Sequence, residues 1–148
     1  MKSIHHKNLI IADSGYWVAL GNKKDKFHQQ AIKVFNQVSD IPITTWPVIT
    51  ETCYLLERDC GFKSQQAFLH ALENGSSRLF EMGVSHLDKV QSLMQKYADL
   101  PMDLADASMV ILADELGHGR ILSTDQRDFS TYRWKNHKPF ENLLLPDE

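Results

Sequence analysis

The stretch "NLIIADSGYWVALGN", residues 8–22, sets the pattern of the fold. Its short apolar run "LIIA" is closed by Asp13, Ser14 and Gly15, which indicates a buried strand that ends in a turn. The apolar residues that follow, up to Gly21, predict a short helix. A buried strand leading directly into a helix is the repeating unit of parallel α/β folds. Asp13 would then lie at the carboxyl end of a central strand.

The same alternation of strand and helix continues along the chain. Further strands are predicted at 41–44, 77–83, 119–124 and 139–145. Helices are predicted from Asp25 as N-cap to residue 39, from Thr45 as cap to a stop at Gly61, over 63–75, over 84–100 with a cap at Ser85, and over 102–117. We therefore expect an α/β fold, a three-layer sandwich whose mostly parallel central sheet is flanked by helices.

Length and composition limit the class of protein. The 148 residues are 43% hydrophobic and 24% charged, with a net charge of −3, which is typical of one globular domain; we expect a single domain over residues 1–148. No apolar run approaches the ~20 residues of a membrane span, and Asp13 interrupts the only apolar stretch near the start. We expect a cytoplasmic protein that does not bind membranes. The two cysteines lack the CxxC spacing of zinc sites.

Acidic residues mark the candidate site. Asp103 and Asp106 open the helix "MDLADASMVILADELG", residues 102–117, and two acids on one face repel each other unless a cation or a proton lies between them. Asp13 and Asp125 each follow a strand, and Glu51 lies one turn into a helix that follows another. Loops at the carboxyl ends of parallel strands meet in one crevice, so all five acids can converge. Taken singly, each also fits an ordinary turn, cap or surface position.

The chemistry of such a site follows from its ligands. Carboxylate oxygens favour magnesium or manganese over zinc. Ions held this way activate water and stabilise the charge that develops on a phosphodiester. The chain has no GxxxxGK, GxGxxG or GxSxG motif, so nothing supports nucleotide binding or a serine nucleophile. Hydrolysis of a nucleic-acid backbone is the function that these observations favour.

Basic and aromatic residues give a weaker signal. Residues 120–138 are locally basic, and Arg127, Arg133 and Lys135 are candidates for gripping phosphates that flank the cleaved bond, although a solvated surface also explains them. Tyr16 and Trp17 follow Asp13 and could form either a base-stacking platform or part of the core. We expect the core, because their helix has to bury one face.

Four blocks, in order and across nearly the whole chain, resemble the PIN-domain ribonucleases, and among these the VapC-type toxins of bacterial toxin–antitoxin pairs. The blocks are "LIIADSGYWVAL", "TTWPVITETCYLL", "LPMDLADASMVILADELG" and "RILSTDQRDFSTYR". The resemblance implies that the family's four acids are Asp13, Glu51, Asp106 and Asp125, with Asp103 as the extra acid of a subset. The hydroxyl before the fourth acid, usually Thr, is Ser123 here, and we group it with the candidate RNA-binding residues.

The resemblance implies a PIN fold and a Mg²⁺- or Mn²⁺-dependent endoribonuclease, which forms a homodimer and is inhibited by a cognate antitoxin. In the mechanism that we expect, Asp13 and Asp106 hold the principal metal, and Asp125 and Asp103 complete its shell. Glu51 binds a second ion or orients water, and cleavage leaves a 5′-phosphate and a 3′-hydroxyl. Two alternatives stay open: a housekeeping PIN nuclease that processes rRNA or tRNA, and a catalytically silent PIN-like module that binds RNA or protein.

Overall fold

A computed structural model describes residues 8–146; residues 1–7 and 147–148, the two ends of the predicted domain, lie outside them. Five strands form one parallel sheet in the order β3-β2-β1-β4-β7. They are β1 (Leu9–Ala12), β2 (Ile41–Thr45), β3 (Arg78–Phe80), β4 (Arg120–Leu122) and β7 (Glu141–Asn142). Two further strands, β5 (Arg133–Trp134) and β6 (Lys138–Pro139), pair antiparallel as a small separate ribbon. The helices are α1 (Ser14–Gly21), α2 (His28–Gln37), α3 (Trp46–Cys60), α4 (Phe62–Glu73), α5 (Leu87–Lys96), α6 (Leu104–Leu116) and α7 (Gln126–Thr131).

The middle strand, β1, is buried along its whole length, as a parallel strand covered on both faces must be. Leu9 pairs with Ile41 of β2, and Ile11 pairs with Ile43 of β2 and with Ile121 of β4. Helices flank this parallel sheet, which confirms the expected α/β sandwich.

Helix α6 is the interior helix of the fold. Nine of its thirteen residues are buried, and it packs against β1, β2, α3 and α5. Ser108 in its middle shares a 2.6 Å hydrogen bond with Thr45 at the end of β2, and both side chains are fully buried. The helix ends at Gly117, whose φ of 80° is a left-handed conformation that glycine adopts at little cost. The first turn of α6 is thereby fixed relative to the sheet.

The order of the strands reverses between β1 and β4. From β1 the chain continues to β2 on one side, whereas β4 pairs on the other side, so the carboxyl ends of β1 and β4 flank a crevice. Asp13, directly after β1, donates its backbone N–H to the carbonyl of Leu122 at a distance of 3.0 Å. This hydrogen bond joins Asp13 to β4, the strand that precedes Asp125.

Two predicted helix starts are wrong. Helix α2 begins at His28 rather than after Asp25, because the Asp25 carboxylate accepts the backbone N–H of Phe27 (2.8 Å) and closes a turn instead. Helix α5 begins at Leu87, after a 3₁₀ turn over 84–86, so Ser85 is not its cap.

The end of the chain also differs from the prediction. Only residues 141–142 of the predicted strand over 139–145 join the sheet, whereas Pro139 belongs to the ribbon. Tyr16 and Trp17 are buried with 2% and 7% of their surface exposed, which confirms that they belong to the core. None of the helices in residues 8–146 is both long and apolar enough to cross a membrane.

Candidate active site

A cavity of about 440 Å³ opens where β1 and β4 end, and its walls are strongly acidic. The structure brings all five acids selected from the sequence to this cavity: Asp13, Glu51, Asp103, Asp106 and Asp125. Three more acids, Asp25, Asp59 and Asp128, and the cation Arg58 also line it. Four separate segments of the chain thus supply the predicted acids, and we call this space the acid cavity.

Asp13 is the most deeply placed of these acids, with 6% of its surface exposed. It caps α1: one carboxylate oxygen accepts the Ser14 N–H at 2.8 Å, and the other accepts the Ser123 hydroxyl at 2.9 Å. The pKa of Asp13 is raised to about 7, chiefly by burial and to a lesser extent by the charges of Glu51 and Asp125, while the two hydrogen bonds lower it. Asp13 therefore exchanges its proton near neutral pH.

Asp103 and Asp106 form a capping box at the start of α6. The Asp103 carboxylate accepts the Asp106 N–H at 2.8 Å, and the Asp106 carboxylate accepts the Asp103 N–H at 3.3 Å and the Tyr132 hydroxyl at 3.3 Å. Burial raises the pKa of Asp106 to about 8, with further contributions from the charges of Asp103 and Asp13. The capping role is sufficient to explain Asp103. It is not sufficient for Asp106, whose charged form is disfavoured by burial and by the neighbouring acids.

Asp125 and Ser123 join the last acid to the first. The Asp125 carboxylate caps α7 by accepting the Asp128 N–H at 3.1 Å. The Ser123 hydroxyl accepts the Asp125 N–H at 2.9 Å while donating to Asp13. Burial, followed by the neighbouring Asp128, raises the pKa of Asp125 to about 6.

The sequence analysis grouped Ser123 with the substrate-binding residues, and its side chain is placed otherwise. Ser123 is fully buried beneath the acid cavity, and its hydroxyl is occupied by Asp13 and Asp125. It cannot touch a substrate from there. We therefore assign it a positioning role.

The Ser123→Ala variant is expected to lose about 1–3 kcal/mol of unfolding free energy, because it leaves a buried carboxylate oxygen and a backbone N–H without their partner. The pKa of Asp13 should rise further in the variant, because the hydrogen bond from Ser123 lowers this pKa in the wild-type chain. Urea denaturation and a carboxyl-resolved NMR titration measure the two effects. Ser130→Ala, which removes an exposed hydroxyl bonded to the Arg127 carbonyl, is the matched control. Equal losses in both variants would contradict the positioning role.

Two small residues shape the floor of the cavity. The Ser14 hydroxyl donates to Glu51 at 2.7 Å, which ties the turn after β1 to helix α3. Gly15 brings the backbone so close to Thr124 that a Cβ at this position would overlap the Thr124 side chain. Each residue of "DSG" after the first strand thus has a role: Asp13 caps α1, Ser14 donates a hydrogen bond to Glu51, and Gly15 allows the close approach of Thr124.

The donor set can be compared with the needs of a divalent ion. In residues 8–146, no three His, Cys, Asp or Glu side chains are grouped closely enough to hold a metal as they stand. The donors are nevertheless carboxylate oxygens, which Mg²⁺ and Mn²⁺ prefer. The charge of Asp13 raises the pKa of Asp106, so the two carboxylates are close enough to repel each other. A cation between them would offset this repulsion. The carboxylate oxygens of these residues are therefore suitable ligands for Mg²⁺ or Mn²⁺.

The three basic candidates do not line the acid cavity. One guanidinium nitrogen of Arg133 donates to the carbonyls of Ser130, Thr131 and Tyr132, so it closes the end of α7. Lys135 extends its ammonium group over the Trp134 ring, 6.0 Å from its centre. Arg127 alone affects the site, because its charge lowers the pKa of Asp125.

Sequence reasoning missed the one cation among the cavity residues. Arg58 lies near the end of α3, two turns after Glu51, and pairs with the adjacent Asp59 at 2.8 Å. Helical spacing from Glu51 could have placed it on the same side of α3, since residues seven apart share a face. Tyr132, which donates to Asp106, was quoted in the fourth block but given no role.

No protein-family profile matches the chain. Ribonuclease VapC26 of Mycobacterium tuberculosis is 27% identical over 124 residues, which cover 84% of this chain and 92% of that protein. The 23S rRNA-specific endonuclease VapC20 of the same species is 34% identical over 59 residues, 40% of this chain and 45% of that protein.

The solved structure of M. tuberculosis VapC20, described as a sarcin–ricin loop cleaving toxin, has the same fold. It superposes with a TM-score of 0.74 over 80% of this chain and 91% of that one, at 20% sequence identity. At that identity the superposition establishes the fold, and the sequence likeness to VapC26 extends over nearly the full length of that relative. Its four sequence blocks and its parallel sheet, together with these relatives, make the chain similar to the VapC-type PIN-domain ribonucleases.

Proposed function

We propose that the chain is a Mg²⁺- or Mn²⁺-dependent endoribonuclease that hydrolyses RNA phosphodiester bonds and acts as the toxin of a toxin–antitoxin pair. The observation that carries the proposal is the meeting of acids from four segments in one cavity, where burial and mutual repulsion raise the pKa of three of them. Such a cluster is costly without a compensating cation. The names of the relatives, a ribonuclease and an rRNA endonuclease, support RNA as the substrate.

Each acid has a role in this proposal. Asp13 and Asp106 would hold the principal ion, with Asp125 and Asp103 completing its shell. Glu51 would hold a second ion or orient the attacking water. When bound, the ion activates water and stabilises the charge on the phosphodiester and its leaving oxygen.

The surrounding residues hold these carboxylates in place. Ser123 fixes Asp13, Ser14 fixes Glu51, and the Tyr132 hydroxyl fixes Asp106, each through one hydrogen bond. Supporting hydrogen bonds of this kind orient the ligands of a metal and tune their basicity. The three hydroxyls therefore act as positioning groups for carboxylates that would bind the ion.

Arg127 is the basic candidate that we retain for contact with RNA phosphates. Its side chain is 79% exposed and lies beside Asp128, a residue of the acid cavity. Arg127→Ala is expected to weaken RNA binding and to reduce the slope of log Kd against log salt by about 0.7, the value for one phosphate contact on a single strand. The control is Lys33→Ala, which removes an exposed cation from α2. An unchanged slope in Arg127→Ala would remove this residue from the interface.

The activity is tested by incubating the purified chain with RNA and Mn²⁺ or Mg²⁺, then sequencing the new ends, with Asp13→Ala as the control. Internal cuts with 5′-phosphate and 3′-hydroxyl ends are expected, and a chelator should stop them. Absence of cleavage with either ion would refute the nuclease. Induced expression separates the biological roles: growth arrest that requires Asp13 supports a toxin, whereas cleavage without arrest assigns a processing nuclease.

We also propose that a cognate antitoxin inhibits the chain and that it works as a homodimer. Sedimentation of the purified chain tests the dimer. The antitoxin is tested by co-expressing the small protein encoded by the neighbouring gene, which should relieve the growth arrest.

A further inference from the structure

One large aromatic side chain beside the acid cavity is left open to solvent. Of the three tryptophans, Trp17 and Trp134 are buried, whereas Trp46 has 54% of its surface exposed. Over residues 8–146, none of the ring pairs or cation–ring contacts involves Trp46. The exposed indole ring offers a large flat apolar face to a ligand.

The backbone beneath Trp46 is fixed. It is the first residue of α3, between Thr45, which is fully buried, and Pro47, whose ring restricts the first turn. The Thr50 hydroxyl donates to the Trp46 carbonyl at 3.1 Å and closes that turn. The exposed indole therefore stands on a rigid base, which limits the entropy that a ligand would have to remove.

Trp46 belongs to an open, mostly apolar surface that we call the Trp46 shelf. Its apolar part is Trp46, Pro47, Leu104 and Ala105, and Leu104 is also 44% exposed. Its inner edge is formed by Glu51 and Asp103, which line the acid cavity as well. The shelf and the cavity are therefore one continuous surface.

The distance between them is short. Trp46 precedes Glu51 by five residues on the same helix, which is a rise of about 7.5 Å along its axis. Because Glu51 and Asp103 line both the shelf and the acid cavity, a group on the shelf is a neighbour of a group at the acids. The shelf suits an occupant with a flat apolar face and no negative charge, covalently joined to a group that enters the cavity. An unpaired nucleobase meets these conditions, because it is neutral, stacks on aromatic rings and is linked through its sugar to phosphate.

We propose that Trp46 is a stacking platform for an unpaired base of the RNA, next to the phosphate that is cleaved. This inference rests on the proposed nuclease function and adds a substrate-binding residue to it. A paired base presents no free face, so a base that stacks on Trp46 has to be unpaired.

Fluorescence gives a test that does not depend on cleavage. In the Asp106→Asn variant with Mg²⁺, an unstructured oligoribonucleotide of about ten nucleotides is added while Trp emission is recorded. Binding is measured in parallel by anisotropy of labelled RNA. Because Trp46 is the exposed tryptophan, its emission should be quenched as RNA binds, and Trp46→Phe in the same background should remove most of the quenching. RNA that binds without quenching, or with equal quenching in Trp46→Phe, would overturn the proposal.

Steady-state cleavage gives the second test. Trp46→Ala should raise KM by about 10-fold or more with kcat changed little, whereas Trp46→Phe should retain most of the affinity. Phe62→Ala is the matched control, because Phe62 is 62% exposed and lines neither the shelf nor the acid cavity. An RNA with an abasic nucleotide beside the cleaved bond should bind the wild-type chain as weakly as Trp46→Ala binds the intact RNA.

Other outcomes identify other occupants. A Trp46→Ala variant that sediments differently from wild type but keeps its KM would assign the shelf to contact between copies of the chain and overturn the stacking role. A wild-type chain that neither binds nor cuts RNA would refute the nuclease itself. Normal cutting by both Trp46 variants would leave the nuclease intact and refute only the platform.

Discussion

Asp106→Asn should lower RNA cleavage by more than about 100-fold. Mutation of a group that only orients a metal ligand typically lowers metal affinity or activity by about 10–100-fold. A larger loss is expected here, because Asp106 is one of the two acids that we expect to hold the principal ion. Asparagine keeps the size and one oxygen of the side chain but removes the charge that attracts the cation. Cleavage of a labelled RNA at saturating Mg²⁺ measures the effect.

The same variant should fold at least as stably as the wild-type chain in the absence of divalent ions. Asp106 is repelled by Asp103 and Asp13, and the substitution removes that repulsion while the amide can still accept the Tyr132 hydroxyl. Asp88→Asn is the matched control, because it removes an exposed acid from the first turn of α5, outside the acid cavity. Wild-type cleavage rates in Asp106→Asn would refute the assignment, and unfolding of the variant would show that the carboxylate serves the fold.

The acids could be located from the sequence because each is tied to a regular element. Asp13 follows a run of apolar residues that can only be a buried strand, and Asp103 precedes a helix that is apolar on nearly every side. Parallel topology then brings the carboxyl ends of β1 and β4 together, whatever the intervening chain does. The convergence of the acids can therefore be predicted from the order of strands and helices, without knowledge of side-chain packing.

The neighbours of the acids could not be located in this way. Ser123 is a residue with a useful hydroxyl in the sequence, and only the packing shows that it is fully buried and bridges two carboxyl-bearing segments. Arg133 resembles a phosphate ligand until its guanidinium is seen to cap α7. The two-residue strands β5 and β6 are too short to give a periodic signal.

The pH dependence of stability tests the electrostatics of the cavity directly. In the unfolded chain, Asp13 and Asp106 lose their protons near pH 3.8, whereas in the folded chain their pKa values are about 7 and about 8. Between these limits the folded state binds more protons, so unfolding free energy must fall as pH rises. The stabilisation is complete below about pH 4 and is lost above about pH 8. For Asp13 alone the shift corresponds to about 4 kcal/mol.

Thermal unfolding in a chelating buffer should therefore show a Tm lower by on the order of 10 °C at about pH 8 than at about pH 5.5. Asp106→Asn should reduce this difference, and Asp88→Asn should not. Adding Mn²⁺ should recover most of the loss at the higher pH and little at the lower one, because protons occupy the carboxylates there. A Tm that is flat or rising over this interval, with no response to Mn²⁺, would mean that the acids are neither destabilising nor compensated by a cation, and the nuclease would lose its physical basis.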